Sequence, residues 1–209
     1  MIADRPLVVA LDVRYPQAYR ALPRAVRFVE ALGIEADWLP LPAATLKAPS
    51  PPAADDDRGV LHCRHRARSI AREIDVYAEA QGLVLRELYR DAPADALNLG
   101  WLFMRERHEE RLLEFLAEAF RGYWALELDA ADPDAVARLV GEQGADPEAF
   151  LAWSRDPGPT VASGVFETLH DRGVFAVPSY LVEDEVFLGR QHLPMIRWIL
   201  EGRRGPVPI

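Results

Sequence analysis

The chain has 209 residues, 50% of them hydrophobic, and a net charge of −9, which suits one globular domain, or one domain carrying an insertion, with a full core. The acidic balance argues against a sequence-independent grip on nucleic acid, which needs a basic face, and no apolar run approaches the ~20 residues that span a bilayer. Cys63 is the single cysteine, so an intrachain disulfide and any mechanism needing two protein thiols in one chain are excluded. The N-terminus lacks the basic start, long apolar stretch and small-residue cleavage site of a secretory signal, and a cytoplasmic protein is expected.

In chain order, residues 6–13 read as a buried strand rich in Val and Leu. Pro16 is placed for the first turn of a helix, where its missing N–H costs nothing. Ala18, Leu22, Val26, Val29 and Leu32 follow at helical spacing, with Gly33 as the stop. "IEADWLPL" alternates like a second strand, and strand–helix–strand with a short connection predicts a parallel βαβ unit. "PLPAATLKAPSPPAADDDRG" is a loop, by composition the most mobile part of the chain.

From residue 60 to about 153 the pattern is almost entirely helical. One helix carries Ile70, Ile74 and Tyr77 on one face and ends near Gly82; a long amphipathic stretch follows from Ala92. Asp132 and Asp146, each followed by proline, are expected N-caps of two shorter helices. "GPTVASGVFETLHDRG" is a further helix, with Thr160 as expected N-cap and Gly173 as stop. "VFAVPSYLVEDEVFLG" alternates twice around "EDE", which predicts a β-hairpin turning near Asp184. "HLPMIRWILEG" closes the chain as an amphipathic helix. This order, β-α-β, a block of helices, then α-β-β-α, predicts an α/β thioredoxin-like fold with an all-α insertion. The expected boundaries are residues 1–60 and 156–209 for the thioredoxin-like domain and 61–155 for the insertion.

Two stretches carry a family resemblance. "GVFAVPSY", residues 173–180, is similar to the "GVFGVPTF" stretch of the 2-hydroxychromene-2-carboxylate isomerase and kappa-class glutathione transferase group, in the DsbA-like branch of the thioredoxin superfamily. The first motif of that group, Asp, two residues, Ser-Pro and a Tyr three after the proline, is matched by "DVRYPQAY" at Asp12, Pro16 and Tyr19. "RSIAREIDVYAEAQGL", "DAPADALNLGWLF" and "ADPDAVARLVGEQGADPEAFLAW" resemble the helices of the group's insertion, so the resemblance covers nearly the whole chain.

The resemblance implies a cis Val177–Pro178 bond beside the active site, glutathione as cofactor, a small substrate of the aromatic-derived carboxylic acid kind, and a homodimer. Val177 and Pro178 are then the backbone clamp for the cysteinyl unit. Two departures follow from the same alignment. Tyr15 stands where the group has a serine, or a cysteine in redox relatives. Gln191 and His192 stand where the group reads Asp-Arg, whose aspartate holds the α-amino group of glutathione.

A tyrosine hydroxyl can donate to a thiolate and stabilise the ionised form, the slot lies at a helix N-terminus that favours an anion, and Arg14 or His192 is an expected anion contact. The bland alternative is a packed or rim tyrosine. Replacing the carboxylate by Gln191 removes an ion pair to an ammonium. Two functions stay open: a glutathione-dependent isomerase or transferase, or a catalytically lapsed relative that binds a small ligand or a protein. A dithiol disulfide oxidoreductase is disfavoured because the slot holds no sulfur.

Other residues read more plainly. Cys63, His62 and His65 make a poor zinc set without a second ligand cluster, and no metal is expected. Arg64, Arg66, Arg68 and Arg72 read as a solvated basic face or a carboxylate site. Trp101, Phe103, Trp124 and Trp153 read as helical core, with an acceptor-substrate pocket as the alternative. Asn98 is either a satisfied core amide or a substrate contact.

Overall fold

In a computed structural model that describes residues 2–53 and 56–208, the chain runs β1 (Leu7–Leu11), α1 (Pro16–Leu32), β2 (Ala36–Pro40), α2 (Arg58–Gln81), α3 (Asp95–Arg107), α4 (Leu112–Trp124), α5 (Pro133–Glu142), α6 (Pro147–Arg155), α7 (Gly158–Asp171), β3 (Ser179–Val182), β4 (Glu185–Leu188) and α8 (Leu193–Leu200). Short 3-10 turns lead into α4 and α8. The strands form one mixed sheet in the order β2-β1-β3-β4. β1 is parallel to β2, with Leu7 opposite Ala36, and antiparallel to β3, with Val9 opposite Tyr180. The β3–β4 hairpin turns on Glu183 and Asp184, and Glu183 adopts the left-handed φ of 53° that tight hairpin turns require. This is a thioredoxin-like fold in which α2 to α6 are inserted between the βαβ unit and the α7-β3-β4-α8 unit.

The local signals act as their chemistry dictates. Pro16 opens α1 and Gly33, at φ 61°, ends it, its N–H donating to the Glu30 carbonyl. Asp132 and Asp146 cap α5 and α6 by accepting from the N–H of Asp134 and Glu148. The start of α7 differs from the expected Thr160 cap: the helix begins at Gly158, after Pro157. Gly158 packs so tightly on Trp153 that a Cβ there would lie 2.8 Å from its ring, so contact with α6, not a hydroxyl cap, sets this end.

β1 is buried throughout, and so is β2, although its sequence alternates. The reason is Asp37. It faces α3 instead of water, bonded to the Arg105 guanidinium at 2.5 and 2.7 Å and to the Ala3 N–H at 2.7 Å, so the charge is paired inside. Trp101 and Trp124 are fully buried and satisfied, the first donating to the Trp38 carbonyl at 3.0 Å and the second to the Val13 carbonyl at 2.9 Å. Phe103 packs edge-on against Phe150 and Trp153. Trp101, Phe103, Trp124 and Trp153 are core, and Asn98 is buried as well.

The proline-rich loop after β2 is tethered along its described length. Leu41 donates to the Leu11 carbonyl, the Ala43 N–H to Asp12, and Thr45 to Asp91. Arg64, buried on α2, donates to the Ser50 and Pro51 carbonyls and pairs with Asp56 at 2.6 Å. Composition marks this loop as mobile, but these long-range contacts hold it to the rest of the chain. Arg64 thus belongs to the loop's anchorage, while Arg66, Arg68 and Arg72 are exposed. No helix is long and apolar enough to cross a membrane among the described residues.

Candidate functional site

The loop between β1 and α1 is fixed by one carboxylate. Asp12, 1% exposed, accepts from the Arg14 N–H and Nε through Oδ1, at 2.9 and 3.1 Å, and from Arg14 Nη2 and the Ala43 N–H through Oδ2, at 2.8 and 2.7 Å. Arg14 spends another donor on the Ala43 carbonyl at 2.9 Å. The Tyr15 N–H donates to the Asp12 carbonyl, and Trp124 holds the Val13 carbonyl from the helical insertion. The result is a rigid platform for the next residue, Tyr15, the N-cap of α1.

Tyr15 and Gln17 line one side of a cavity of about 280 Å³ whose other walls come from Ala176, Val177 and Pro178 before β3, from Leu188 to Gln191 after β4, and from Arg20 and Glu73. The Val177–Pro178 bond is cis, as is Asp156–Pro157. Val177 uses neither its N–H nor its carbonyl in a backbone hydrogen bond among the described residues, whereas the Pro178 carbonyl accepts from the Gly189 N–H at 2.8 Å. An open N–H and carbonyl beside the proline are free to pair with an extended ligand. The Tyr15 hydroxyl has no hydrogen-bond partner among the described residues, and burial raises its pKa above the ordinary tyrosine value. At neutral pH it is a protonated donor.

Gln191 lines the cavity with its amide folded back, Nε2 donating to the Leu188 carbonyl at 2.9 Å. The amide rests on Gly189 (φ 94°, ψ 152°), where a Cβ would lie 2.3 Å from Gln191 Oε1. His192, in the same 3-10 turn, points away and packs on Phe187 with ring centroids 5.7 Å apart. Four of the residues expected from sequence, Tyr15, Val177, Pro178 and Gln191, therefore meet in one cavity. Arg14 and His192 do not line it: Asp12 and the Ala43 carbonyl occupy the first, and successive residues of a tight 3-10 turn diverge, which separates the second from Gln191. Cys63 is exposed on α2 and contributes no sulfur to the cavity.

Arg20, Glu73, Gln17 and Arg190 complete the lining without any sequence signal that singled them out. Arg20 falls on the polar side of α1 by helical spacing, yet it is 3% exposed because α2 lies across it. Arg190 sits one residue before the positions that the family motif draws attention to.

A cleft between a helix N-terminus and a cis-proline loop, on a mixed sheet with a helical insertion, is the arrangement of a thioredoxin-type fold. The family is set by sequence as well: the DSBA-like thioredoxin domain matches residues 10–201, and the chain belongs to that family. No significant match is found among curated protein sequences. Among solved structures the chain is similar to 2-hydroxychromene-2-carboxylate isomerase, with 18% identity and a TM-score of 0.69, covering 93% of this chain and 94% of the other. A probable DsbA oxidoreductase from Streptomyces coelicolor has the same identity and score, with 97% and 92% coverage. The cytosolic disulfide reductase DsbM from Pseudomonas aeruginosa with GSH shows 17% identity, a TM-score of 0.61, and 94% and 98% coverage.

Proposed function

We propose that the chain is a glutathione-dependent isomerase or transferase of the 2-hydroxychromene-2-carboxylate isomerase type, working in the cavity between Tyr15 and Pro178. The observation that carries this reading is the protonated, unpartnered Tyr15 hydroxyl in a cavity shared with the open backbone of Val177. The hydroxyl donates to the glutathione sulfur and favours the thiolate, and the N-terminal end of α1 favours the same negative charge. Val177 pairs with the cysteinyl unit through its N–H and carbonyl.

The thiolate adds to an electron-poor double bond of an unsaturated aromatic-derived acid. A C–S bond forms and the electron pair moves to the conjugated carbonyl. After rotation about the new single bond the pair returns, the C–S bond breaks, and glutathione leaves unchanged. No oxidant or second protein thiol is consumed, which suits a cavity without sulfur. The similarity to a chromene carboxylate isomerase and to a disulfide reductase solved with GSH supports the choice of ligand. The homodimer implied by the family resemblance is part of the proposal.

One observation favours a second reading, a binding protein that has lost catalysis. The Gln191 amide is committed to the Leu188 carbonyl, and no carboxylate stands at its position to hold a glutathione ammonium. Incubating the protein with glutathione and 2-hydroxychromene-2-carboxylate, and following isomerisation by absorbance, decides between them. Turnover that needs both glutathione and the Tyr15 hydroxyl supports the enzyme; ligand binding without turnover supports the second reading.

A further inference from the structure

Toward α2 the same cavity is lined by Arg20, Arg190 and Glu73, and Tyr77, outside the lining, backs the two arginines. Glu73 and Tyr77 lie one turn apart on α2 and face α1. The guanidiniums of Arg20 and Arg190 each lie over the Tyr77 ring, 4.5 Å from its centroid. Their hydrogen-bonding capacity is largely unspent. Arg20 Nε, Arg190 Nη1 and Gln17 Oε1 are buried without a partner among the described residues. The nearest acid is Glu73, whose Oε1 is 3.9 Å from Arg20 Nη2 with most of its side chain in solvent.

A guanidinium that is 3% exposed and whose Nε has no partner among the described residues is a costly feature unless something completes it. Burial, together with the second guanidinium close by, lowers the Arg20 pKa from its ordinary value. The ring of Tyr77 holds both cations in place by cation–π contact and supplies no acceptor in their plane. Counting Arg20, Arg190 and Glu73, the corner carries one uncompensated positive charge in a chain whose total is −9.

We propose that Arg20 and Arg190, held on Tyr77, form a subsite for the carboxylate of an organic acid bound in the Tyr15–Pro178 cavity. The planar fork of arginine matches a carboxylate, and a single negative charge closes the balance, which favours a carboxylate over a doubly charged phosphate. Gln191, neutral and turned back on its own loop, adds no negative charge to this end of the cavity. The inference rests on the cavity of the proposed function but not on its thiol step, so it specifies the substrate class: acids whose carboxylate lies toward α2.

The test uses the full-length protein and probes without a thiol. Benzoate, benzamide and inorganic phosphate are titrated by calorimetry, and the Arg20 and Arg190 Nε–H signals are followed by NMR. Benzoate is expected to bind and shift both signals, with benzamide and phosphate weaker by at least about tenfold. Arg190→Met is expected to weaken benzoate by at least about tenfold while leaving benzamide unchanged. Arg20 is buried, so Arg190 carries the test should Arg20→Met fail to fold. Absence of benzoate binding, equal affinity for benzamide, tighter binding of phosphate, or an Arg190→Met variant that binds benzoate normally overturns the proposal. Because benzoate has no sulfur, these results are independent of whether glutathione binds.

Discussion

Replacing Asp12 by Asn tests whether the Tyr15 platform depends on one buried charge. Each carboxylate oxygen of Asp12 serves two donors, Arg14 N–H and Nε on Oδ1, Arg14 Nη2 and Ala43 N–H on Oδ2. An amide keeps one oxygen, so either orientation turns an NH2 group toward two donors and leaves the Arg14 cation without its counter-charge. Two lost charge-assisted hydrogen bonds amount to ~3–6 kcal/mol, and a buried pair broken on one side costs ~3–5 kcal/mol. The two estimates overlap near 3–5 kcal/mol, a fall in Tm on the order of 10 °C for a chain of this size. Urea unfolding measures the loss directly. Arg14→Met should cost less, because Asp12 keeps two backbone donors, and the double variant should recover part of the Asp12→Asn loss by removing the orphaned cation. A loss below about 1 kcal/mol for Asp12→Asn would refute the reasoning.

Three further outcomes are expected. Gly189→Ala must adopt a backbone conformation close to glycine-only and push a Cβ into the Gln191 amide, so it should destabilise by about 1–3 kcal/mol; an unchanged urea midpoint would contradict the close approach. Burial raises the pKa of Tyr15, Tyr19, Tyr123 and Tyr180. Above about pH 10 the unfolded chain releases phenolic protons that the folded chain retains, so stability present at lower pH should fall as pH rises, and Tyr180→Phe should flatten the decline. A flat pH profile in that range would show that the phenols are not buried as described. Cys63→Ser should change stability by less than about 0.5 kcal/mol and leave turnover intact, and loss of activity would bring the thiol into the chemistry.

Much of the fold was legible because local chemistry and tertiary demand agree. Pro16, Gly33, Asp132–Pro133 and Asp146–Pro147 mark helix ends by mechanisms that act within a few residues, and the structure uses all of them. The sequence failed where a distant partner decides. The alternation of β2 gave no sign of the partner of Asp37, because Arg105, 68 residues away, pairs with it inside. Arg64 looked like part of a solvated cluster and instead anchors the loop that composition marked as mobile.

The site follows the same division. Tyr15, Val177, Pro178 and Gln191 came from motif positions close to the cis-proline, and they share the cavity. Arg14 looked available because it adjoins Tyr15, yet adjacent residues at a helix start point in different directions, and its donors are taken by Asp12 and Ala43. Arg20 was invisible because helical spacing puts it on the polar side of α1. Only the packing of α2, through Glu73 and Tyr77, turns that polar side into a wall of the cavity.

The measurement closest to the central claim is a titration of the purified protein with reduced glutathione, with the thiol pKa of the bound ligand read from thiolate absorbance in the wild type and in Tyr15→Phe. The account predicts saturable binding in both and a bound-thiol pKa that is below that of free glutathione in the wild type and rises when the hydroxyl is removed. Absence of binding, or a bound-thiol pKa that is the same in both proteins, would contradict the assignment of Tyr15 as the group that holds the sulfur.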